Sequence, residues 1–351
     1  MLYTSDGAAT YMLDDVTGER HEGTRDDLRR MITLYDAIPE IDFVWATITP
    51  GDVDPRAGNL EIARTAYTYG RKHLQDEVRV PEQAPVFLEM LEAIAGAPLR
   101  ERPIYSVTNC TIAPLQHDRE MTEAHIAMAK AGAPVFVLPM PQMGTTGPMS
   151  VLGTSILSMA EMLSAVVLFQ LAAPGCAMVS GVGSAVAEMR SGLYLSGAPE
   201  DALINVMCIE MSKHYGLLSQ GSGVSCDAKA CDLQAGVEGM MTGLACAMAG
   251  CEVLLAFGLL DSAQTASLAK AVLDADTVNA IERFLRDDPV DATTALIDDI
   301  AEVGIGGHFL GRKSTRRSYR AGELWQPRLW RRQPFEQYAG ASLVKEAAAR
   351  A

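Results

Sequence analysis

The densest run of reactive side chains is Ser219 to Met240, SQGSGVSCDAKACDLQAGVEGM. An apolar stretch there gives way to a Gly/Ser loop carrying Gln220, Cys226, Asp227, Lys229 and Asp232 ahead of a helical pattern. An amide, a carboxylate and an ammonium on one loop can orient a substrate, hold a charge or move a proton. The purely structural alternative is that Asp232 caps its helix and Lys229 is solvated. Three other loops share this texture: Asn109-Cys110-Thr111, Pro139-Met140-Pro141-Gln142-Met143 and Gly258-Leu259-Leu260-Asp261-Ser262. Rich in Met, Gly, Thr and amides and poor in charge, they suit a large, weakly charged pocket for a bulky group. The run GIGGHFLG (304–311) sets His308 among glycines, as a structural histidine or a site residue.

Phosphate and metal signatures are weak. GVGSAV and QGSGVSC each lack the third glycine of a dinucleotide loop, and no GxxxxGK[ST] occurs. No CxxC, HxxxH or HExxH is present, so Cys226, Asp227 and His308 as part of an open metal site compete with plain buried thiols.

These loops need strands to position them. Short, nearly uncharged runs at 42–48, 104–108, 135–138, 177–180, 217–220 and 253–257 read as parallel strands covered on both faces. Helical patterns alternate with them at 24–37, 59–73, 81–95, 119–131, 154–172, 199–214, 232–249 and 264–284. Repeated strand–helix units predict an α/β fold, a (β/α)8 TIM barrel, with a doubly wound open sheet as the alternative. The first twenty residues read as an irregular N-terminal segment, and the basic, Trp-rich stretch from Arg312 leads into a helical tail at 335–350. Without repeat or linker, 1–351 reads as a single domain.

The chain has 351 residues, of which 48% are hydrophobic, and a net charge of −15, which disfavours nucleic-acid binding. The basic RKSTRR is then expected to be solvated or to contact another subunit. Seven cysteines without a signal pattern fit reduced thiols in the cytoplasm. The charge-free stretch 162–187 is broken at Pro174-Gly175, so a fully buried helix–strand pair is expected rather than a membrane span.

In order, TGERHEGTRDDL, DAIPEIDFV, LPMPQMGTTGPMSVLGT, AEMRSGLYLSGAPE, SGVSCDAKACDLQAGVEG, EVGIGGHFLGRKSTRRSYR and LWQPRLWRRQPFE resemble the trimethylamine methyltransferase (MttB-like) family over nearly the whole chain. That resemblance implies a (β/α)8 barrel moving methyl from a methylated amine to the Co(I) of a separate corrinoid protein. It implies no cofactor held tightly by this chain and a family N-terminal helical region that this sequence lacks. Trimethylamine-specific members carry pyrrolysine; this chain does not, and it resembles the branch acting on quaternary amines such as glycine betaine. A quaternary donor leaves as a neutral amine and needs no proton, only in-line placement and exclusion of water. The expected catalytic set is Asp227, His308 and Gln220. Asn109, Met140, Gln142, Arg190, Lys229, Asp261 and Phe136 are expected to bind substrate, with Trp45 and Tyr105 as further aromatic faces for the cation. Arg190 or His308 would meet a substrate carboxylate. Expected partners are a corrinoid protein, a small methylated amine and further copies of the chain, with neither nucleic acid nor membrane. A metal-assisted barrel enzyme and a shortened barrel that only binds a corrinoid protein are the alternatives.

Overall fold

A computed structural model describes residues 1–351 except Ala8, Ala339 and Ala341. Eight strands form the barrel: β1 Leu2–Ser5, β2 Phe43–Trp45, β3 His73–Asp76, β4 Tyr105–Ile112, β5 Val135–Leu138, β6 Met178–Gly181, β7 Leu218–Ser222 and β8 Val253–Phe257. Each is parallel to its neighbours, in chain order, and pairing of β1 with β8 closes the ring. Eight helices follow them: α1 Arg25–Ala37, α2 Gly58–Tyr69, α3 Ala84–Ala95, α4 Arg119–Ala131, α5 Val151–Ala172, α6 Pro199–His214, α7 Leu233–Ala249 and α8 Leu268–Leu285. Thr24 and Asp27 form a capping box on α1, and Asp118, Ser150, Asp232 and Ser267 cap α4, α5, α7 and α8.

The core lies in two shells. Between sheet and helices pack Leu28, Met31, Phe87, Phe169, Ile204 and Ile281. Inside the barrel, Phe43, Phe136, Val179 and Val253 form one apolar layer, the two rings 5.9 Å apart. Two residues further along their strands, Trp45, Leu138 and Leu255 form a second. Gly181 keeps that layer tight, since a Cβ there would lie 2.4 Å from Leu138 Cδ1. Buried polar groups share the interior: Gln75 Nε2 donates to Thr108 Oγ1 at 2.7 Å, and His73 Nε2 meets Ser106 Oγ at 2.9 Å.

The structure corrects three expectations. The N-terminal segment is not wholly irregular, because Leu2–Ser5 is the first barrel strand. Residues 73–76 form β3, whereas the helical pattern was expected to run to His73; the helix ends at Tyr69. Both strands are short and polar because they turn Thr4, His73 and Gln75 toward a partly polar interior, so no apolar run marks them. The 162–187 stretch is not fully buried, since Val167 and Leu171 of α5 are exposed. By length and composition α5 could cross a membrane.

At the carboxyl ends of the strands the connecting loops pair with one another. Gln142–Met143, Ala185–Ala187 and Tyr194–Leu195 join the loops after β5 and β6. Leu259–Leu260, Thr265–Ala266, Tyr11–Leu13 and Arg20–Glu22 join those after β8 and β1. Beyond α8 lie the short helices α9 Ala292–Ala295, α10 Ile297–Val303 and α11 Lys313–Arg320, then α12 Leu343–Arg350. The Asp276 carboxylate holds this tail by accepting from the backbone N–H groups of Arg328 (3.0 Å), Leu329 (2.7 Å) and Trp330 (3.2 Å).

Candidate active site

The paired loops place the site at the C-terminal mouth, where a parallel barrel builds its chemistry. Asp6 directly follows β1. Its Oδ1 accepts from Gly7 N–H at 2.8 Å, and burial pushes its pKa up to about 6. Gly7 lies against the Trp45 indole so closely that a Cβ would sit 2.4 Å from Cε2 and Nε1. Across the mouth, Tyr194 donates its hydroxyl to Gly183 O at 3.1 Å. Its phenol feels the charges of Asp201, Asp6 and Asp227, and burial with these anions keeps it protonated. Asp201, at the start of α6, is fully buried, with Oδ2 lacking a hydrogen-bond partner. Burial, with the nearby Asp227, raises its pKa well above the usual carboxylate value. Cys110, among the last residues of β4 before its end at Ile112, is kept a thiol by burial near Glu77 and Asp6.

Asp227 lies at this mouth and holds loops together. Its Oδ1 accepts from Ser196 N (2.8 Å), Gly197 N (3.1 Å) and Ser262 Oγ (2.7 Å). Its own N–H donates to Glu238 Oε2 at 2.7 Å. Gln220 points into the barrel from β7, fully buried, with both amide atoms lacking a hydrogen-bond partner; Gln75 Oε1 is similarly unpartnered. Such orphaned amides are expensive in an interior, and they mark the place where a polar ligand group or water fits.

The other expected site residues divide between the mouth loops, the barrel interior, the outer face and exposed segments. Phe136 lies inside the barrel, in the apolar layer with Phe43. Asn109 instead faces α4, meeting His125 Nδ1 at 3.1 Å. His125 Nε2 accepts from Val78 N–H, so its Nδ1 bears the proton and the Asn109 amide oxygen is the proper partner. Tyr105 also points outward, against Phe87, with its hydroxyl on Glu77 O at 3.3 Å. Met140 and Gln142 sit in the loop after β5, Met140 near Gly183, while Gln142 pairs with Ala185. Asp261 is paired with Arg20 at 2.9 Å and with Lys229, and Lys229 also donates to Asp227 O at 2.9 Å. Arg190 is exposed in the loop between β6 and α6. His308 is exposed between α10 and α11 and makes no hydrogen bond among the described residues. Asp232 takes its capping role, accepting from Ala235 N at 3.2 Å.

Cys226 is buried, donates to Leu259 O at 3.6 Å, and is pushed up to about 11 by burial. Among the described residues no three His, Cys, Asp or Glu side chains converge as metal ligands, so Cys226, Asp227 and His308 do not form such a group. Sequence reasoning missed Asp6, Tyr194 and Asp201. For Asp6 the available signal was a carboxylate and a glycine directly after a short β-prone run, the texture of the other strand ends.

The model of the trimethylamine methyltransferase (MTTB) family matches residues 1–351. The trimethylamine methyltransferase MttB of Desulfitobacterium hafniense is 29% identical over 311 residues, 88% of this chain and 63% of that protein. A glycine betaine methyltransferase of the same species is 29% identical over 94% of this chain and 69% of its own length. The trimethylamine methyltransferase MttB of Methanosarcina thermophila is 30% identical over 84% of this chain and 62% of its own. The chain thus spans under two thirds of the length of most of these relatives. The crystal structure of the hydroxylamine MtmB complex shares the fold, with a TM-score of 0.56 at 14% identity over 80% of this chain and 58% of that one. The chain belongs to the trimethylamine methyltransferase family.

Proposed function

We propose that this chain moves a methyl group from a quaternary or tertiary methylamine of the glycine betaine kind to the Co(I) of a corrinoid carried by a separate cytoplasmic protein. The observation that carries the reading is the mouth itself. The Tyr194 phenol lies in the field of Asp6 and Asp227, and across the mouth Trp45 lies against the Gly7 backbone next to Asp6. Ring faces and ionised carboxylates together attract a methylated ammonium, and the attraction strengthens where water is excluded.

The chemistry asks little else of the protein. The donor enters as a cation, a quaternary ammonium or an N-protonated tertiary amine. Its C–N bond would then break with the electron pair left on nitrogen, the carbon would pass to the partner's Co(I), and a neutral amine would leave. The corrinoid supplies the nucleophile. Asp6 balances the ammonium charge, Trp45 and Tyr194 wall it in, and the unpartnered Gln220 amide, with Gln75 Oε1, takes the polar part of the donor. Asp227 keeps the loops after β6, β7 and β8 in register. For a donor with a carboxylate, Arg190 and His308 remain the cationic candidates, both on exposed segments.

The test is anaerobic stopped-flow with a Co(I) corrinoid protein, and with free Co(I) corrinoid in parallel, adding glycine betaine or trimethylamine. Donor-dependent loss of the Co(I) visible band supports the reading. A band unchanged by every methylated amine overturns it.

A further inference from the structure

The solvent side of α5 carries no charge. Leu152, Ile156, Ala160, Ser164, Val167 and Leu171 are its exposed positions, following helical spacing over all 22 residues. Leu152 is 60% exposed, Ile156 62%, Val167 58% and Leu171 78%. A barrel helix facing only water places charged residues there. The one charged side chain on α5, Glu161, points inward, accepting from Leu115 N at 2.8 Å and from Thr111 Oγ1. Leu203 and Met211 of the neighbouring α6, and Tyr215 just beyond its end, extend the apolar face. Between the helices runs a groove of about 510 Å³ whose only charged lining residue is Glu210.

The pattern reads the same in both directions. From its centre, between Ala160 and Ser164, small residues give way to Ile156 and Val167, and then to Leu152 and Leu171. We infer that this face pairs with a second copy of the chain, two α5 helices lying antiparallel across a two-fold axis near Ala160 and Ser164. Leu152 then meets the second copy's Leu171, Ile156 meets its Val167, and the small central pair lets the helices approach. A two-fold interface must be self-complementary, which a palindromic stripe satisfies and a directional one does not. Charge points the same way. Two chains of −15 each repel, and an uncharged face is where they can approach. At roughly 100 Å² per large side chain, the stripe and its α6 flank offer most of the about 800 Å² that each partner of a standard interface buries.

The experiment is sedimentation velocity on the whole chain from about 0.1 to 50 µM, with Ile156→Glu/Val167→Glu alongside and circular dichroism melting to verify folding. Pairing predicts a dimer that becomes a folded monomer in the double variant. A folded double variant that remains dimeric overturns the proposal, as does a wild type that stays monomeric or that floats with phosphatidylcholine vesicles as a monomer. A mixture of Leu152→Cys and Leu171→Cys chains, treated with a short bismaleimide and compared with the wild type, reports the orientation independently. Antiparallel pairing gives cross-linked dimer in the mixture well above either variant alone, and equal yields contradict it.

Discussion

Ser262 donates its hydroxyl to Asp227 Oδ1 at 2.7 Å, tying the loop after β8 to the loop after β7. The same oxygen takes the backbone N–H groups of Ser196 and Gly197 from the loop before α6. One carboxylate oxygen thus joins three of the loops that frame the mouth, so Asp227 shapes the opening.

Asp227→Ala removes three charge-assisted hydrogen bonds and is expected to destabilise the fold by about 3 kcal/mol, with Asp227→Asn losing less. Urea denaturation midpoints measure this. An unchanged midpoint in the Ala variant would show that the loops hold without the clamp.

Asp6 makes the site sensitive to pH. Its carboxyl is raised from 3.8 to about 6 by burial, so the fold favours the protonated form. The native state holds that proton more tightly than the unfolded chain, and the resulting stability is present at low pH and fades as pH rises through 6. Cation binding runs the opposite way, strengthening as Asp6 ionises between pH 5 and 7. Asp6→Asn should flatten both limbs. A betaine titration whose pH profile is identical in wild type and variant would remove Asp6 from the binding site.

Gln220→Leu separates function from folding. Both amide atoms are buried and unpartnered, so an apolar replacement is expected to leave the fold as stable or about 1 kcal/mol more so. Methyl transfer should nonetheless fall by about tenfold or more, because the donor loses its polar contact. Full activity in a stable Leu variant would assign the Gln220 amide to trapped water.

The pair formed by Lys270 and Asp274 is fully buried, with Asp274 Oδ2 also accepting from Gly258 N–H at 2.9 Å and Lys270 Nζ donating to Val224 O at 3.3 Å. Lys270→Met leaves that carboxylate uncompensated and is expected to cost about 3–5 kcal/mol. Thermal melting measures it, and the loss should be smaller below pH 6, where Asp274, raised to about 6 by burial, takes up a proton.

Much of the barrel was legible in the sequence because Val135–Leu138 and residues 253–255 are buried on both faces and read as apolar runs. The helices were legible through caps such as Thr24 and through 3.6-residue periodicity. Leu2–Ser5 and His73–Asp76 escaped because interior positions here are polar, and strand periodicity detects only apolar burial. The loop carrying Asp227 was recognisable by its density of polar residues. Which polar groups face one another was not, since Asp6 stands far in sequence from Tyr194 and Asp201, and only barrel closure brings it to them. Asn109 and Tyr105 misled for a related reason: on a two-residue period, half of any strand faces the helices.

Whether the mouth holds a methylated cation is tested most directly by calorimetric titration at pH 7.5 with choline and with its uncharged carbon isostere, 3,3-dimethylbutanol. Equal size and unequal charge isolate the contribution of Asp6 and the aromatic walls. The structure predicts that choline binds about tenfold more tightly or better, and that Asp6→Asn narrows the gap. Equal affinities for the two compounds would contradict a cation site.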